Sequence, residues 1–243
     1  MKLITLNIWG ARVGVPFIEF VKNNQNIDIF CFQELYSKAE EKLGHLYPDS
    51  RHSIFEEIQT ILPQHTSFFR PVVEGVYGIG IFIKKTINIS EEGEISIHPG
   101  NNQNGVIDGH HERNLQWVKF GAGGQEYTVV NVHGLWNGKG KTDTPERINQ
   151  STRIKEFMDT ISTHKILCGD FNLRPDTESL KIVEQGMNNL VKIHGVSSTR
   201  TSLYKKDEKF ADYIFTSPEV KVNKFEVMKD EVSDHSPLFL DFE

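Results

Sequence analysis

The sequence predicts an α/β protein in which two mixed β-sheets pack face to face and helices cover their outer sides. Strand-like apolar runs occur in both halves of the chain, and each half also contains stretches with apolar residues at helical spacing. Strand-rich halves flanked by helices are typical of sheets that pack on each other. With 243 residues, of which 37% are hydrophobic, the chain can build one core, so we expect a single domain over residues 1–243.

The secondary-structure elements follow from the apolar runs and from the residues at their boundaries. Strands are predicted at residues 2–9, 27–34, 115–120, 127–133, 165–168 and 210–215, with three more within residues 68–97 that break at 74–75 and 84–85. Helices are predicted at residues 16–24, 52–62, 144–162 and 177–185. Pro63 stops the second helix, whereas Thr144 caps the third and Pro145 occupies its first turn. A Gly- and Asn-rich loop covers residues 99–108.

Polar side chains stand at or near the ends of several strand-like runs. They are Asn7, Glu34, Asn131, His133, Asp170 and Asp212. A solvated surface would scatter such residues along the strands, whereas a site built where several strands end would concentrate them. The pattern therefore predicts a polar site at one edge of the sheets.

Two short motifs, GDFN at 169–172 and SDHS at 233–236, suggest hydrolytic chemistry. Asp170 and Asn172 are two residues apart, so on an extended chain both side chains leave the same face, where they can hold a water. The second motif places an acid beside the His235 imidazole, the usual general base. Together they predict a water attacking phosphorus or a carbonyl carbon. Each motif alone is also compatible with a turn whose side chains bond their own backbone.

These motifs belong to a series of eight that occur in order along the chain. The series is LNIWG at 6–10, DIFCFQE at 28–34, YGIGIFIKK at 77–85, ERNLQWVKF at 112–120, NVHG at 131–134, GDFN at 169–172, ADYIF at 211–215 and SDHSP at 233–237. On these residues the chain resembles the endonuclease/exonuclease/phosphatase superfamily, which includes DNase I, exonuclease III, neutral sphingomyelinases and inositol polyphosphate 5-phosphatases. The resemblance implies a four-layer α/β sandwich with its site at one end of the sheets, and attack on phosphorus.

The resemblance also implies a divalent metal, Mg²⁺ or Mn²⁺. Glu34 is the principal predicted ligand, because a carboxylate at the end of a strand suits Mg²⁺, which prefers oxygen and keeps several waters. Asn7 is expected beside it, as an oxygen ligand or as a hydrogen-bonding partner of the metal site. Asp234 matches a further acidic ligand near a second metal position. The metal would neutralise phosphate charge and stabilise the pentacovalent oxygens or the leaving group.

The remaining catalytic roles come from the same resemblance. His235 is predicted to take a proton from the attacking water. Asp212 would orient its imidazole, and a buried acid in this apolar run needs such a partner. Asp170 and Asn172 are expected to position water or phosphate oxygens. His133 matches a second histidine that bonds the phosphate or assists the leaving group.

Arg113, just before the strand at 115–120, matches an arginine that contacts the scissile phosphate. A guanidinium suits this task because it can bond two phosphate oxygens. The chain departs from the family pattern at one position. The DNase I branch has a glutamate that orients the second histidine on the strand matching residues 77–85, but residues 78–80 contain no acid and Glu74 is the nearest. The partner of His133 is therefore left open by the sequence.

The substrate is predicted from the loop at 134–141 and from motifs that the chain lacks. Lys139 and Lys141 can meet phosphates and Trp136 can stack on a base, although a flexible solvated loop is an equal alternative. No inositol phosphatase signature and no membrane-seeking hairpin is recognised. We predict a phosphodiesterase or nuclease acting on nucleic acid or a nucleotide-like diester. The alternatives are a phosphatase, a tyrosyl-DNA-type phosphodiesterase or a catalytically inactive binding module.

The composition of the chain limits which binding partners and which cellular location we expect. The net charge of −6 and the pI of about 5.9 give no global basic footprint for nucleic acid, although bound cations and local Lys or Arg can supply positive potential. Cys31 and Cys168 both lie within apolar runs, where Cys behaves as a small hydrophobe. The first strand begins at Lys2 and leaves no room for a signal peptide. We expect a cytoplasmic monomer without stable membrane association.

Overall fold

The computed structural model describes residues 1–100, 106–107, 109–138 and 140–243. Within these residues the strands are β1 (Lys2–Asn7), β2 (Ile29–Tyr36), β3 (His65–Val73), β4 (Tyr77–Lys84), β5 (Asn88–His98), β6 (Arg113–Ala122), β7 (Gln125–His133), β8 (His164–Asp170), β9 (Asn188–Asn189), β10 (Asp212–Thr216), β11 (Val222–Val227) and β12 (Leu238–Phe242). The α-helices are α1 (Val15–Asn23), α2 (Glu40–Leu43), α3 (Ile54–Ile61), α4 (Pro145–Thr160), α5 (Glu178–Glu184) and α6 (Leu190–Ile193).

The strands form two six-stranded sheets, which confirms the predicted architecture. The first sheet has the order β11-β12-β1-β2-β4-β3, and the second has the order β5-β6-β7-β8-β10-β9. Both sheets are mixed, because β1 pairs parallel with β2 and β7 pairs parallel with β8 among antiparallel neighbours. The two parallel pairs matter for the site, since the carboxyl ends of parallel strands meet at the same sheet edge.

Side chains alternate along β2 between two apolar layers, as the period of a strand requires. Ile29 and Cys31 face the layer between the sheets, which also contains Leu167 of β8. Phe30 and Phe32 face a second layer that packs against α1 and α3. Burying a Phe side chain contributes roughly 1.5–3 kcal/mol. Both faces of this strand are therefore covered, and β2 reads as a continuous apolar run.

Helices α4 and α5 complete the fourth layer on the outer side of the second sheet. Ile154 and Met158 of α4, with Leu180 of α5, belong to the same buried cluster as the strands of that sheet. Cys31 and Cys168 are both buried and free, as predicted for small core residues. The order helix, sheet, sheet, helix is the four-layer sandwich that the resemblance implies.

Helix boundaries agree with the predicted capping signals. The Thr144 side chain accepts a hydrogen bond from the Arg147 N–H, and Pro145 is the first residue of α4. The helix ends at Thr160, two residues before the predicted end at 162. Residues 101–105 and 108 of the predicted loop at 99–108 lie outside the described residues.

Two strands that the sequence analysis did not predict close one side of the first sheet. β12 pairs antiparallel with β1 and carries β11 on its outer edge. Phe225 is the one residue of β11 that is buried, so this strand lacks the apolar run that reveals a core strand. None of the described helices is both long and apolar enough to cross a membrane, the longest being α4 with 16 residues.

Candidate active site

Strand register brings the predicted site residues to one edge of the sandwich. In the second sheet, His133 of β7 is paired with Asp170 of β8, and Asp170 is paired in turn with Asp212 of β10. Seven of the nine predicted residues line a cleft of about 360 Å³, and these are Glu34, Arg113, His133, Asp170, Asn172, Asp234 and His235. The other two, Asn7 and Asp212, are buried and bonded to cleft residues.

Glu34 reaches the cleft through a β-bulge, not through the end of its strand. The predicted strand end at Glu34 is wrong, because β2 continues to Tyr36. The pairing with β4 shifts register between Phe32 and Leu35, and Glu34 adopts a left-handed backbone with φ of 60°. A bulge re-aims a side chain, and a strained φ at a non-glycine residue is typical of functional positions. The bulge directs the carboxylate into the cleft while the strand goes on.

Asn7 ties the two sheets together at the floor of the cleft. Its Nδ2 donates to Glu34 Oε1 at 3.0 Å and to Asp170 Oδ2 at 3.0 Å, and its Oδ1 accepts a hydrogen bond from the Trp9 N–H at 2.9 Å. Of the two roles predicted for Asn7, this geometry matches the hydrogen-bonding partner, since its oxygen faces the backbone of Trp9. The amide holds two carboxylates of different sheets side by side.

Asp170 and Asn172 meet through a turn. The explanation from an extended chain is wrong, since β8 ends at Asp170 and Asn172 has φ of 53°. Asp170 Oδ1 accepts the Asn172 N–H at 2.8 Å, and Asn172 Nδ2 donates to the Gly134 carbonyl at 3.3 Å. Glycine is required just before, because Gly169 has φ of 133° and a Cβ there would lie 2.1 Å from the Val132 carbonyl oxygen.

His235 and Asp212 form a buried pair. Asp212 Oδ1 accepts from His235 Nδ1 at 2.8 Å, and its Oδ2 also accepts from the Thr199 hydroxyl at 3.1 Å. Because Nδ1 donates to a carboxylate, Nε2 is the nitrogen that carries the lone pair of a neutral ring. Nε2 lies 3.7 Å from Asp170 Oδ2 and 3.8 Å from Asp234 Oδ1. The ring is therefore fixed with its basic nitrogen toward the cleft.

His133 has Arg113 as its partner, where the family pattern has an acid. Arg113 Nη1 donates to His133 Nδ1 at 3.0 Å, so the proton of the neutral ring is on Nε2. Nε2 lies 3.9 Å from Glu34 Oε1 and 3.9 Å from Asp170 Oδ2. Burial and the adjacent guanidinium hold the pKa of His133 well below its ordinary value. The geometry thus makes His133 a neutral N–H donor, and the nearest family-position acid, Glu74, is exposed.

One wall of the cleft holds residues that the sequence analysis did not select as site residues. Arg200 donates from Nη1 to Asp234 Oδ2 at 3.2 Å, and its guanidinium lies 4.1 Å from the centre of the Tyr204 ring. Lys206 lies over the Trp136 ring at 5.5 Å. No family motif covers residues 200–206, and only the three cations and the one tyrosine of this segment mark it.

Lys141 stands on the same wall and is buried, with 3% of its surface exposed. Its Nζ has no hydrogen-bond partner within the described part of the chain. Burial lowers the pKa of Lys141 to about 8, although Asp170 opposes this shift. Lys139, which was predicted to meet phosphates, lies outside the described residues. Trp136 is 39% exposed and lines the cleft, as expected for a residue that stacks on a ligand.

The acidic floor of the cleft fits a divalent cation. Burial raises the pKa of Glu34, and the charges of Asp234 and Asp170 raise it further against the opposing hydrogen bond from Asn7. Uncompensated negative charge of this kind is what a hard cation with oxygen ligands neutralises. Asp170, Asp212 and His235 also place one ligand atom each within 4.8 Å of one another. Asp170 belongs to this cluster and also shares the Asn7 amide with Glu34, the principal predicted ligand.

The two packed sheets and a cleft lined by acids and histidines at one edge define a DNase I-like protein. The sequence model of the endonuclease/exonuclease/phosphatase family matches residues 4–235. The chain therefore belongs to this family. A search of the curated proteins finds no match to the chain.

Solved structures share the fold along the whole chain. The mannosyl-6-phosphatase of Bacteroides thetaiotaomicron has a TM-score of 0.76 and 18% identity, covering 100% of this chain and 99% of that one. TDP2 of D. rerio, complexed with a single-strand DNA product, has a TM-score of 0.72 and 17% identity, with coverages of 100% and 98%. ANGEL2, described as a 2′,3′-cyclic phosphatase, has a TM-score of 0.73 and 12% identity, with coverages of 99% and 94%. At these identities the likeness establishes the fold.

Proposed function

We propose that the protein is a divalent-metal-dependent phosphoesterase, and that its substrate is a phosphodiester of nucleic acid or of a nucleotide-like molecule. The observation that carries the proposal is the His235–Asp212 pair, which directs a lone pair into a cleft lined by Glu34, Asp170 and Asn172. A fixed basic nitrogen beside carboxylates is suited to removing a proton from water as it attacks phosphorus. We further propose that the chain acts as a single-domain monomer.

Each remaining residue has a task in this scheme. Glu34 would hold the metal with Asp234 nearby, and Asn7 orients the Glu34 and Asp170 carboxylates. When bound, the metal supplies positive charge that stabilises phosphate oxygens in the transition state. Asp170 and Asn172 place the water and the phosphate oxygens.

The neutral His133 donates its Nε2 proton to a phosphate oxygen or to the leaving group. Its position is set by Arg113, which lines the cleft and whose buried Nε has no hydrogen-bond partner among the described residues. Arg113 thus serves both the phosphate and the orientation of the imidazole. This dual task replaces the acid that the DNase I branch uses.

The residues on the walls of the cleft favour a phosphodiester substrate that carries an aromatic group. Trp9, Tyr47, Trp136 and Tyr204 line the cleft, with Arg12, Lys206 and Arg200 over aromatic rings. Aromatic faces interleaved with cations bind single-stranded nucleic acid by stacking and by charge. The cations are local, so they act in spite of the net charge of −6.

A phosphatase is the second candidate, because Arg113 and the buried Lys141 place two cations at the cleft and a phosphomonoester carries more charge than a diester. The B. thetaiotaomicron structure, described as a mannosyl-6-phosphatase, gives this candidate a fold-level precedent. A tyrosyl-DNA-type phosphodiesterase is a third variant of the same chemistry.

A panel of phosphoesters tests the proposal. The purified protein is assayed on single- and double-stranded DNA, RNA, a 5′-tyrosyl oligonucleotide, sugar phosphates and bis(p-nitrophenyl) phosphate, with Mg²⁺, with Mn²⁺ and after dialysis against EDTA. We expect hydrolysis of diesters that requires the metal and returns when it is restored. Full activity after removal of the metal contradicts the metal role, and preference for monoesters selects the phosphatase.

Arg113→Lys tests the partner of His133. Lysine keeps the charge but loses the fork that bonds the imidazole and the phosphate together. We expect kcat/KM to fall about 10- to 100-fold, as for loss of a charge-assisted hydrogen bond, while Tm falls by only about 2–4 °C. Thermal unfolding and steady-state kinetics measure the two effects. A large drop in Tm with little kinetic change would make Arg113 a structural residue.

A further inference from the structure

Lys141 is a buried ammonium group for which the described part of the fold supplies neither a hydrogen-bond acceptor nor an ion-pair partner. Its side chain is 3% exposed, its Nζ makes no hydrogen bond, and no described carboxylate forms an ion pair with it. A buried unpaired charge destabilises a protein strongly. Such a residue therefore needs a ligand to explain it.

The backbone on both sides of Lys141 is held in place, so the position of the ammonium is prepared before any ligand arrives. The buried Arg147 donates to the Thr142 carbonyl at 2.6 Å and to the Gly140 carbonyl at 2.8 Å. The Lys141 carbonyl accepts from the Arg174 N–H at 3.0 Å. The sequence also allowed a flexible, solvated loop here, but the backbone at Lys141 is held by these hydrogen bonds.

Lys141 lies at the cleft beside a second cation, Arg200. Tyr204 lies beneath both side chains, with its ring centre 5.9 Å from Lys141 Nζ and 4.1 Å from the Arg200 guanidinium. Arg200 is fixed by Asp234 and keeps an unpartnered buried Nε. Lys141 and Arg200 both line the cleft that contains Asp170 and His235. An anionic group in this cleft would meet two donors that are already desolvated and oriented.

We propose that Lys141, with Arg200 beside it on the Tyr204 ring, is a phosphate-binding site of this cleft, and that an oxygen of the substrate phosphate bonds Lys141 Nζ. The identity of the ligand as phosphate rests on the proposed function. The site itself rests on the buried, unpartnered ammonium and its fixed backbone.

Lys141→Met tests this site, because methionine has a similar length and no charge. Binding of inorganic phosphate is measured by calorimetry at a fixed Mg²⁺ concentration, and thermal unfolding is measured without phosphate. We expect phosphate affinity to fall about 10- to 100-fold, the loss of one charge-assisted hydrogen bond. We also expect Tm to stay the same or rise, since the variant removes a buried unpaired charge.

Lys205→Met is the matched control, since Lys205 is exposed, does not line the cleft and bonds the Ser202 carbonyl. It loses the same charge and should bind phosphate as the unchanged protein does. Three results overturn the proposal: equal phosphate affinity in Lys141→Met and Lys205→Met, a fall of Tm by many degrees in Lys141→Met, or no phosphate binding by the unchanged protein.

Kinetics on a thymidine dinucleotide with and without a 5′-phosphate identify which phosphate Lys141 binds. If it is the scissile one, Lys141→Met lowers kcat/KM for both substrates alike. If it is a neighbouring phosphate, only the phosphorylated dinucleotide is affected. If phosphate binding depends on Lys141 but the protein hydrolyses no phosphoester, the phosphate site is supported and the proposed function is rejected. If the protein hydrolyses phosphoesters but Lys141→Met binds phosphate unchanged, the proposed function is supported and the phosphate site is rejected.

Discussion

Glu34→Gln is expected to lower metal-dependent turnover by roughly 10²- to 10⁴-fold, the loss that follows when several kcal/mol of charge stabilisation by the metal disappear. Glutamine keeps the shape of the side chain and can still accept the hydrogen bond from Asn7. The defect should therefore be in metal binding and not in folding. Titration with Mg²⁺ or Mn²⁺, followed by calorimetry and by kinetics, measures it.

The same variant has an expected signature in stability. Burial raises the pKa of Glu34 in the folded state, so Glu34 opposes folding at any pH at which the unfolded chain carries this carboxylate ionised. Glu34→Gln should then unfold at or above the Tm of the unchanged protein at pH 7 without metal. The difference should vanish as pH falls below the folded-state pKa toward the unfolded value of about 4.3. Added metal should raise the Tm of the unchanged protein but not that of Glu34→Gln.

Glu41→Gln is a suitable control for Glu34→Gln, because Glu41 is an exposed acid on α2. It loses the same charge and should keep both its turnover and its stabilisation by metal. If Glu34→Gln binds the metal and turns over as well as Glu41→Gln does, the assignment of Glu34 is wrong.

His235→Ala is expected to reduce turnover by about 10²- to 10⁴-fold, the usual contribution of a general base. The variant removes the nitrogen that faces Asp170 and leaves Asp212 with the Thr199 hydroxyl as its one side-chain partner among the described residues. Steady-state kinetics of the variant and of the unchanged protein measure this loss, and thermal unfolding shows whether the variant is still folded.

Asp212→Asn should lower turnover less than His235→Ala and should add little in the double variant. Residues that act as a unit give non-additive effects, so a double-mutant cycle tests whether Asp212 acts through His235. His45→Ala, at an exposed position, is the matched control. Independent, additive losses would show that Asp212 does not work by orienting the imidazole, and wild-type turnover in His235→Ala would remove His235 from the mechanism.

Local sequence was sufficient for most of the fold. The strands within residues 68–97 break at the predicted points, and the capping signal at Thr144 marks the start of α4. Strand breaks and helix caps depend on residues only a few positions apart in the chain, so the local sequence pattern predicts them. β11 escaped prediction because it is an edge strand with one buried side chain, and its partner β12 supplies most of the pairing.

Nine polar residues could be selected for the site from their places in strands and motifs, because the chemistry of a side chain and the end of a strand are both visible in sequence. The resemblance supplied the Asp212–His235 pair and the place of Asn7 beside Glu34, but other contacts between the two sheets could not be found in this way. Asn7 bonds Asp170 across 163 positions, and Gln33 of the first sheet bonds Asn131 of the second at 2.6 Å. Such contacts arise only when two sheets pack.

What the sequence determined by itself was the order of elements, the family and the kinds of side chain that meet at one edge of the sheets. The tertiary structure alone decided which atoms surround each of these side chains. It put a guanidinium against His133 where the resemblance implied an acid, turned Glu34 inward by a bulge, and buried the Lys141 ammonium without a hydrogen-bond partner among the described residues. The physical reason is that hydrogen-bond partners, burial and the pKa of a group depend on atoms distant in the chain, and no local pattern of residues encodes them.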